Sequence, residues 1–436
     1  MMFSRTMSIF MGLCFLIIPA FSRGSTEEYL EQLIMEALQR SDQLQLLEED
    51  IARAENELKN AKSFYWPRLS LQGSAGVDLL HLDAFSTDRN LGSNLILDWD
   101  FFQNGMVKYR IEYAAAQLQM VKNDVANTRL DLYFQLKNNF FDLFEKKERL
   151  HLMQQEYRLK EIAFERVKIE IEQGQRPRID LLKEKAKLMD DQIRFEKTER
   201  EFAFLVKKLE GETGANDLSS FALDMTDIDE PAELDKNMIT DLALEERIDI
   251  KDTKIQIDLA LKAYRVAKWK RWPSVNIFAG NAFALDDLGA SNDRFQFRTG
   301  LIARYSIYDG GERSLQIKVA GLQLKKAKLK LKQVIRKAKE DIELALDELR
   351  NSRELMHSGE LQYRIIQDDL EREKIDLEHH KISNYDWDEA MLSVEQFKVR
   401  QISLYLNYLR AGIQLSKAVG VYRLKDSDSL SIKEQS

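Results

Sequence analysis

Two carboxylates three residues apart, Asp386 and Glu389, stand in the segment Asp386-Trp387-Asp388-Glu389-Ala390, shortly after Ser383. Ser383 and Asp386 have the spacing of a capping box, which starts a helix. Residues three apart then share one helix face. Such a pair has two physical uses. In a first helical turn, acidic side chains complement the helix dipole. Repeated around an axis, they would form rings of negative charge that favour cations. Asp180 stands at the matching place in an earlier segment (386 − 180 = 206), with Lys183 where the later one has Glu389. His379 and His380 are adjacent, so on a helix their rings point apart, and no third ligand is evident; a metal centre is not expected. No Gly-rich phosphate loop, nucleophile elbow or zinc spacing occurs. The chain therefore reads as a non-enzyme without a cofactor.

The elements that carry these residues are long and helical. Of 436 residues, 32% are charged, above the usual ~25%, which suits solvated helices better than compact layers. The net charge of −8 argues against nucleic acid as a partner. The start, Met1 to Ser22, has a basic Arg5, an apolar run from Met7 to Ile18 and small residues at Ala20 and Ser22, the pattern of a signal peptide. Cys14, the only cysteine, falls inside it, so disulfides and cysteine catalysis are not expected. Ser25 to Lys62 keeps helical spacing through Leu30, Leu33, Ile34, Ala37 and Leu38, with Ser25 and Glu28 as a capping box. From Met106 to about Gln173 a seam runs through Ile111, Ala115, Leu118, Val125, Leu132, Leu136, Phe140 and Leu143. A helix of that length spans ~100 Å and needs coiled-coil-like packing. Gly174-Gln175-Arg176-Pro177 breaks it, with Pro177 placed in the first turn of the return helix. That helix covers Ile179 to Leu209, and Gly211 and Gly214 stop it.

Between the helices the periodicity falls to two. After Trp66-Pro67, Leu69, Leu71, Ala75, Val77 and Leu79 alternate with Ser70, Gln72, Ser74 and Asp78. A polar loop around His81 to Ser93 leads to Leu95, Leu97, Trp99 and Phe101, alternating with Asn94, Asp98 and Asp100. Trp99, Phe101, Tyr305 and Tyr308 fit an interfacial aromatic belt or ordinary packing across strands. Asp98, Asp100, Arg298 and Arg304 suit a wet face, since Arg on a lipid face costs ~2–4 kcal/mol at midplane.

The whole design recurs. Trp66-Pro67 matches Trp272-Pro273 (273 − 67 = 206), and Gly105 matches Gly311 (311 − 105 = 206). Ala61, Asp180 and Gly214 map forward by the same step, so the chain is a tandem duplication. The expected organisation is a signal peptide over 1–22 and a first repeat over 23–214, with strands about 68–80 and 94–103. An acidic linker follows over 215–234. The second repeat covers 235–420, with strands about 274–285 and 295–308, and a polar tail covers 421–436. Each repeat is helix, strand, strand, long helix, long helix. Unpaired backbone groups in hydrocarbon cost several kcal/mol each, so four strands cannot stand alone as a membrane sheet. Single-chain barrels begin at about eight strands. Other copies of the chain must complete the sheet.

This order, with the exits Phe102-Gln103-Asn104-Gly105 and Tyr308-Asp309-Gly310-Gly311 and the segment Ala243-Leu244-Glu245-Glu246-Arg247-Ile248-Asp249, resembles the TolC-like outer membrane efflux protein family over roughly Glu27 to Gly420. The resemblance implies a mainly α fold with a β membrane portion: a homotrimer whose 12-stranded β-barrel continues into a 12-helix α-barrel. It implies a passive duct of a tripartite efflux or type I secretion system in the outer membrane of a Gram-negative bacterium. The duct would meet outer membrane lipid, a periplasmic adaptor and an inner-membrane RND or ABC transporter. It also implies a periplasmic gate at Asp386 and Glu389, with a weaker counterpart at Asp180. The family's tip glycine has no match at His380, and Ile382 stands where its basic latch residue falls. A secreted or periplasmic coiled-coil scaffold or adhesin is the competing reading.

Overall fold

The computed structural model describes residues 26–78, 88–221, 235–286 and 294–422. The expected signal peptide, the Ser25 cap, Leu79, and most of the linker and tail lie outside them. The first half runs α1 (Thr26–Arg40), α2 (Asp42–Ser63), β1 (Arg68–Asp78), β2 (Asp88–Phe102), α3 (Met106–Glu172) and α4 (Arg178–Thr213). The second runs α5 (Lys236–Glu246), α6 (Ile248–Trp269), β3 (Ser274–Asp286), β4 (Arg294–Arg304), α7 (Glu312–Glu378) and α8 (Asn384–Val419). Corresponding helices have equal lengths: 67 residues in α3 and α7, 36 in α4 and α8, 22 in α2 and α6.

Two hairpins, α3/α4 and α7/α8, lie side by side and meet through α3 and α8. The expected single helix from Ser25 to Lys62 is two helices, broken at Ser41 in extended backbone (ψ 114°). The break lets α1 fold onto α3 and α4 while α2 runs along α3. Burial drives it: Leu30, Leu33, Ile34 and Ala37 are all under 5% exposed and pack with Phe140, Phe141, Leu143 and Leu209. The counterpart break is at Arg247 (247 − 41 = 206), where α5 packs on α7 and α8. Arg247 fastens that corner. Its guanidinium donates to the Ala418 carbonyl at 2.9 Å, to both oxygens of Asp249 and to Asp341 at 3.1 Å. Burial alone would lower its pKa, but the two carboxylates outweigh it and hold the pKa above its ordinary value.

Element ends correct several expectations. Gly211 lies inside α4, and the stop is Gly214 in left-handed backbone (φ 72°). Pro177 sits at the cap of α4, one residue before its first turn. Residues 215–221 are not loose linker, because a 3-10 turn (Leu218–Ser220) buries Leu218, and Phe221 stacks 5.3 Å from Phe140. The tail starts packed: Val421 is buried, and the Tyr422 ring lies 5.3 Å from Tyr133. At the tips, Gly174 (φ 75°) and His380 (φ 53°) hold equivalent left-handed positions (380 − 174 = 206). A histidine is strained there by about 1 kcal/mol where glycine is not.

The strands form one antiparallel sheet of order β1-β2-β3-β4. β2 starts at Asp88, six residues before the expected 94, because β1 and β3 flank it and complete its ladder: Asp88 pairs Asp78, and Asn90 pairs both Gly76 and Asp286. β4 stops at Arg304, not 308. Its last partner is Ser274, and the next residue of that strand is Pro273, which has no N–H to donate.

Candidate functional site

The register sorts the sheet into two faces. Leu69 pairs Leu97, Leu71 pairs Leu95, Trp99 pairs Ile277, and Ile277 pairs Leu301, so these residues share one face. The other face carries Arg68 opposite Asp98, with Ser70, Ile96 and Arg298 in a neighbouring row. Asp100 joins that polar face, where it accepts a hydrogen bond from Asn276 Nδ2 at 3.0 Å. On the apolar face Leu69, Leu71, Phe297 and Leu301 are 66–74% exposed, so no layer among the described residues covers them. β1 and β4 are both edges. An open sheet with one bare aliphatic face is incomplete in water.

Where strands meet helices, aromatic rings collect. Trp99 and Phe101 touch edge to face at 5.3 Å, and Trp99 Nε1 donates to the Tyr65 carbonyl at 3.0 Å. A register shift between Trp99 and Phe102 also brings Phe102 opposite Val275, on the apolar face. Tyr305 and Tyr308 are not strand residues as expected; they follow β4 in the turn before α7. Arg313 secures this turn by bonds to Asp309 and the Ser306 carbonyl, and lies 5.3 Å from the Tyr305 ring. Tyr65, Trp66, Trp269 and Trp272, which the sequence reading used at most as helix stops, belong to the same ring, and each is at least 49% exposed. Their crowding just before each Trp-Pro strand entry was the available signal.

At the other end, α8 opens with the expected capping box. Asp386 Oδ2 accepts from Ser383 N at 2.9 Å and Ser383 Oγ at 2.7 Å, while Ser383 Oγ accepts from Asp386 N at 3.3 Å. The Ser383 hydroxyl, then its N–H, and lastly the Arg166 charge hold the Asp386 carboxyl below the usual carboxylate range. Both cap bonds use Oδ2, which leaves Oδ1 outside the cap. Asp386 and Glu389 are exposed on one face, and Glu389 has no partner among the described residues. Asp180 is held by Lys183 at 3.4 Å. The sequence reading missed Arg166: from α3 it lies 5.0 Å over the Tyr385 ring, tying the two hairpins beside Asp386. Only tertiary packing brings these residues together, so spacing had no signal for the pair.

Comparison with known proteins accords with this geometry. The profile of the family described as Outer membrane efflux protein matches residues 33–203 and 239–421. The two matches begin one repeat apart (239 − 33 = 206). No curated protein sequence matches the chain. Among solved structures, the chain is similar to CusC, described for conformational changes accompanying folding and transmembrane channel formation, at 17% identity, with a TM-score of 0.72 over 92% of this chain and 96% of that one. It is similar to the Campylobacter jejuni CmeC outer membrane channel at 17% identity and a TM-score of 0.73, over 93% of this chain and 89% of that one. The open state of the Neisseria gonorrhoeae MtrE outer membrane channel gives 16% identity and a TM-score of 0.73 over 90% and 89%. These likenesses show the fold, the profile shows the family, and the chain therefore belongs to the outer membrane efflux protein family, as a channel of the outer membrane.

Proposed function

We propose that the chain is one third of a passive export duct. The observation that carries this is the open sheet with a bare aliphatic face and two unpaired edges. In a homotrimer, β1 of one copy pairs β4 of the next; three copies of four strands close a 12-stranded barrel without edges. The aliphatic face then meets lipid and the Arg68, Asp98, Asp100, Arg298 face meets a wet lumen. The four long helices α3, α4, α7 and α8 of each copy continue as a 12-helix periplasmic tube. Such a duct makes no covalent change to its cargo. It works as the exit of a tripartite efflux or type I secretion system, with a periplasmic adaptor and an inner-membrane RND or ABC transporter supplying the energy. Met1–Ser22 serves as the export signal.

Asp386 and Glu389 then face the axis at the tube's periplasmic end, as two stacked rings, with Asp180 as a subsidiary group already neutralised by Lys183. Glu389, unpaired within the described residues, supports this role most directly. Asp386 has a second duty as a cap. Because its pKa is lowered, it stays charged in mildly acid medium; the cap is intact at neutral pH and weakens as pH falls through that lowered value.

The test is conductance of the purified protein in planar bilayers. The wild type is expected to conduct and to be blocked by multivalent cations. Asp386→Ala with Glu389→Ala should raise conductance or weaken the block, and the block of the wild type should persist at mildly acid pH. An unchanged conductance and an unchanged block in the double variant would remove both residues from the gate.

A further inference from the structure

At the foot of the aliphatic face lies an open pocket of 530 Å³, walled by Tyr65, Trp99, Phe101, Phe102, Trp269 and Trp272. Three contacts set its shape. Trp99 is bonded to the Tyr65 carbonyl at 3.0 Å, and Asn104 Nδ2 donates to the Trp272 carbonyl at 2.9 Å. Gly105 takes left-handed backbone (φ 75°) against the Trp269 ring, where a Cβ would stand only 2.4 Å from Cε3. The glycine thus lets the indole lie flat against the exit of β2.

The mouth of this pocket is basic although the chain is acidic. Lys108 lines it, and Arg271 is exposed beside Trp272; neither has an acidic partner among the described residues. The segments 62–67, 108–110 and 268–271, which flank the junctions of strands and helices, contain six Lys or Arg and no Asp or Glu, against a net charge of −8 for the chain. Arg110 lies 4.0 Å over Phe64, and Lys268 lies 4.4 Å over Tyr264, so part of the collar is fastened to aromatic faces. One acid, Asp100, also lines the pocket, and its Oδ1 accepts from Asn276 Nδ2 at 3.0 Å; Glu112, on α3, faces Lys262 at 3.7 Å.

We propose that this pocket binds an anionic phospholipid of the periplasmic leaflet, such as phosphatidylglycerol. Its acyl chains lie on the aromatic walls, and its phosphate is held by Lys108 and Arg271. The proposal rests on the reading that the sheet spans the membrane. The position supports it, because the pocket is lined by the end of β2, the start of α3 and the segments that lead into β1 and β3, where the sheet gives way to the helices, and no residue of β4 lines it. A zwitterionic headgroup gains far less from an unpaired cationic mouth than an anionic one does.

Tryptophan reports occupancy. Of five tryptophans, Trp66, Trp99, Trp269 and Trp272 surround the junction, while Trp387 sits at the far end of the helices, ~100 Å away, as an internal reference. The full-length protein is reconstituted in phosphatidylethanolamine vesicles with a low, equal fraction of either brominated phosphatidylglycerol or brominated phosphatidylcholine. Phosphatidylglycerol should quench more strongly, with a local enrichment of roughly fivefold per basic residue. Lys108→Glu with Arg271→Glu, both exposed changes, should bring the two lipids to equal quenching. Equal quenching of the wild type, or an excess that survives the double reversal, overturns the lipid site and leaves the barrel intact. Quenching by neither lipid sinks the membrane reading with it.

Discussion

Leu71→Arg is expected to deplete the protein from the outer membrane, whereas its sequence neighbour Gln72→Arg is expected to leave the protein there. Leu71 is 74% exposed, on the face it shares with Leu95 and Leu69, the fourth of eleven residues in β1. An Arg at the bilayer midplane costs ~2–4 kcal/mol, and Arg on a lumen-facing position costs little. Assembly triples the effect, since each of three copies carries the change, for a total of ~6–12 kcal/mol per barrel. Residues alternate strictly along a strand, so the two substitutions differ only in the face they load. The check is the amount of each variant in the outer membrane fraction, with heat-modified migration on gels as a sign of a folded barrel. Equal loss from both would contradict two faces of different solvent; equal tolerance would contradict lipid contact.

The second large effect lies in the helical part. Phe140 is fully buried at the centre of the cluster that joins α1, α3, α4 and the turn before the linker, in ring contact with Phe221. Phe140→Ala removes a ring from a packed site and should cost about 3–5 kcal/mol. Its repeat counterpart, Leu346 (346 − 140 = 206), is only partly buried at the edge of the smaller cluster around Ile239, Ile342 and Leu415. Leu346→Ala should therefore cost about half as much or less. Denaturant unfolding of the purified protein, read by circular dichroism, distinguishes the two. A reversed order would mean that the second half, not the first, anchors the helices.

Much of this fold is visible in the sequence because local rules and the duplication agree. Pro67 and Pro273 fix where helices give way to strands, Gly105 and Gly311 cap the strand exits in left-handed backbone, and Ser383 with Asp386 starts α8. Each has a cause within a few residues, so spacing is enough. What stayed hidden depends on distant partners. The breaks at Ser41 and Arg247 lie inside helical patterns, and the Arg247 corner is set by Asp341 and the Ala418 carbonyl, far along the chain. The end of β4 is set by Pro273 on its neighbour, not by Tyr305 or Tyr308, whose alternation alone continues the strand pattern. Arg166 over Tyr385 is invisible for the same reason: 219 residues separate them (385 − 166 = 219). The Trp-Pro pairs announced a helix stop, but that Trp272 walls a pocket with Trp99 and Phe102 follows only from the pairing of β2 with β3.

A soluble coiled-coil scaffold is the reading most opposed to a duct, and the sheet edges separate the two most sharply. The only cysteine is Cys14, inside the expected signal, so cysteines introduced at the edges are unique in the mature chain. Ser70→Cys on β1 and Ile302→Cys on β4 place one thiol on each edge strand, both on the polar face. Treating the assembled protein with a flexible bis-maleimide joins whatever edges are neighbours. The shared barrel predicts covalent dimers and trimers, with the ladder ending at three copies and each single variant giving none. Cross-links confined to one chain, or a ladder that ends elsewhere than three, would contradict a sheet built jointly by three copies.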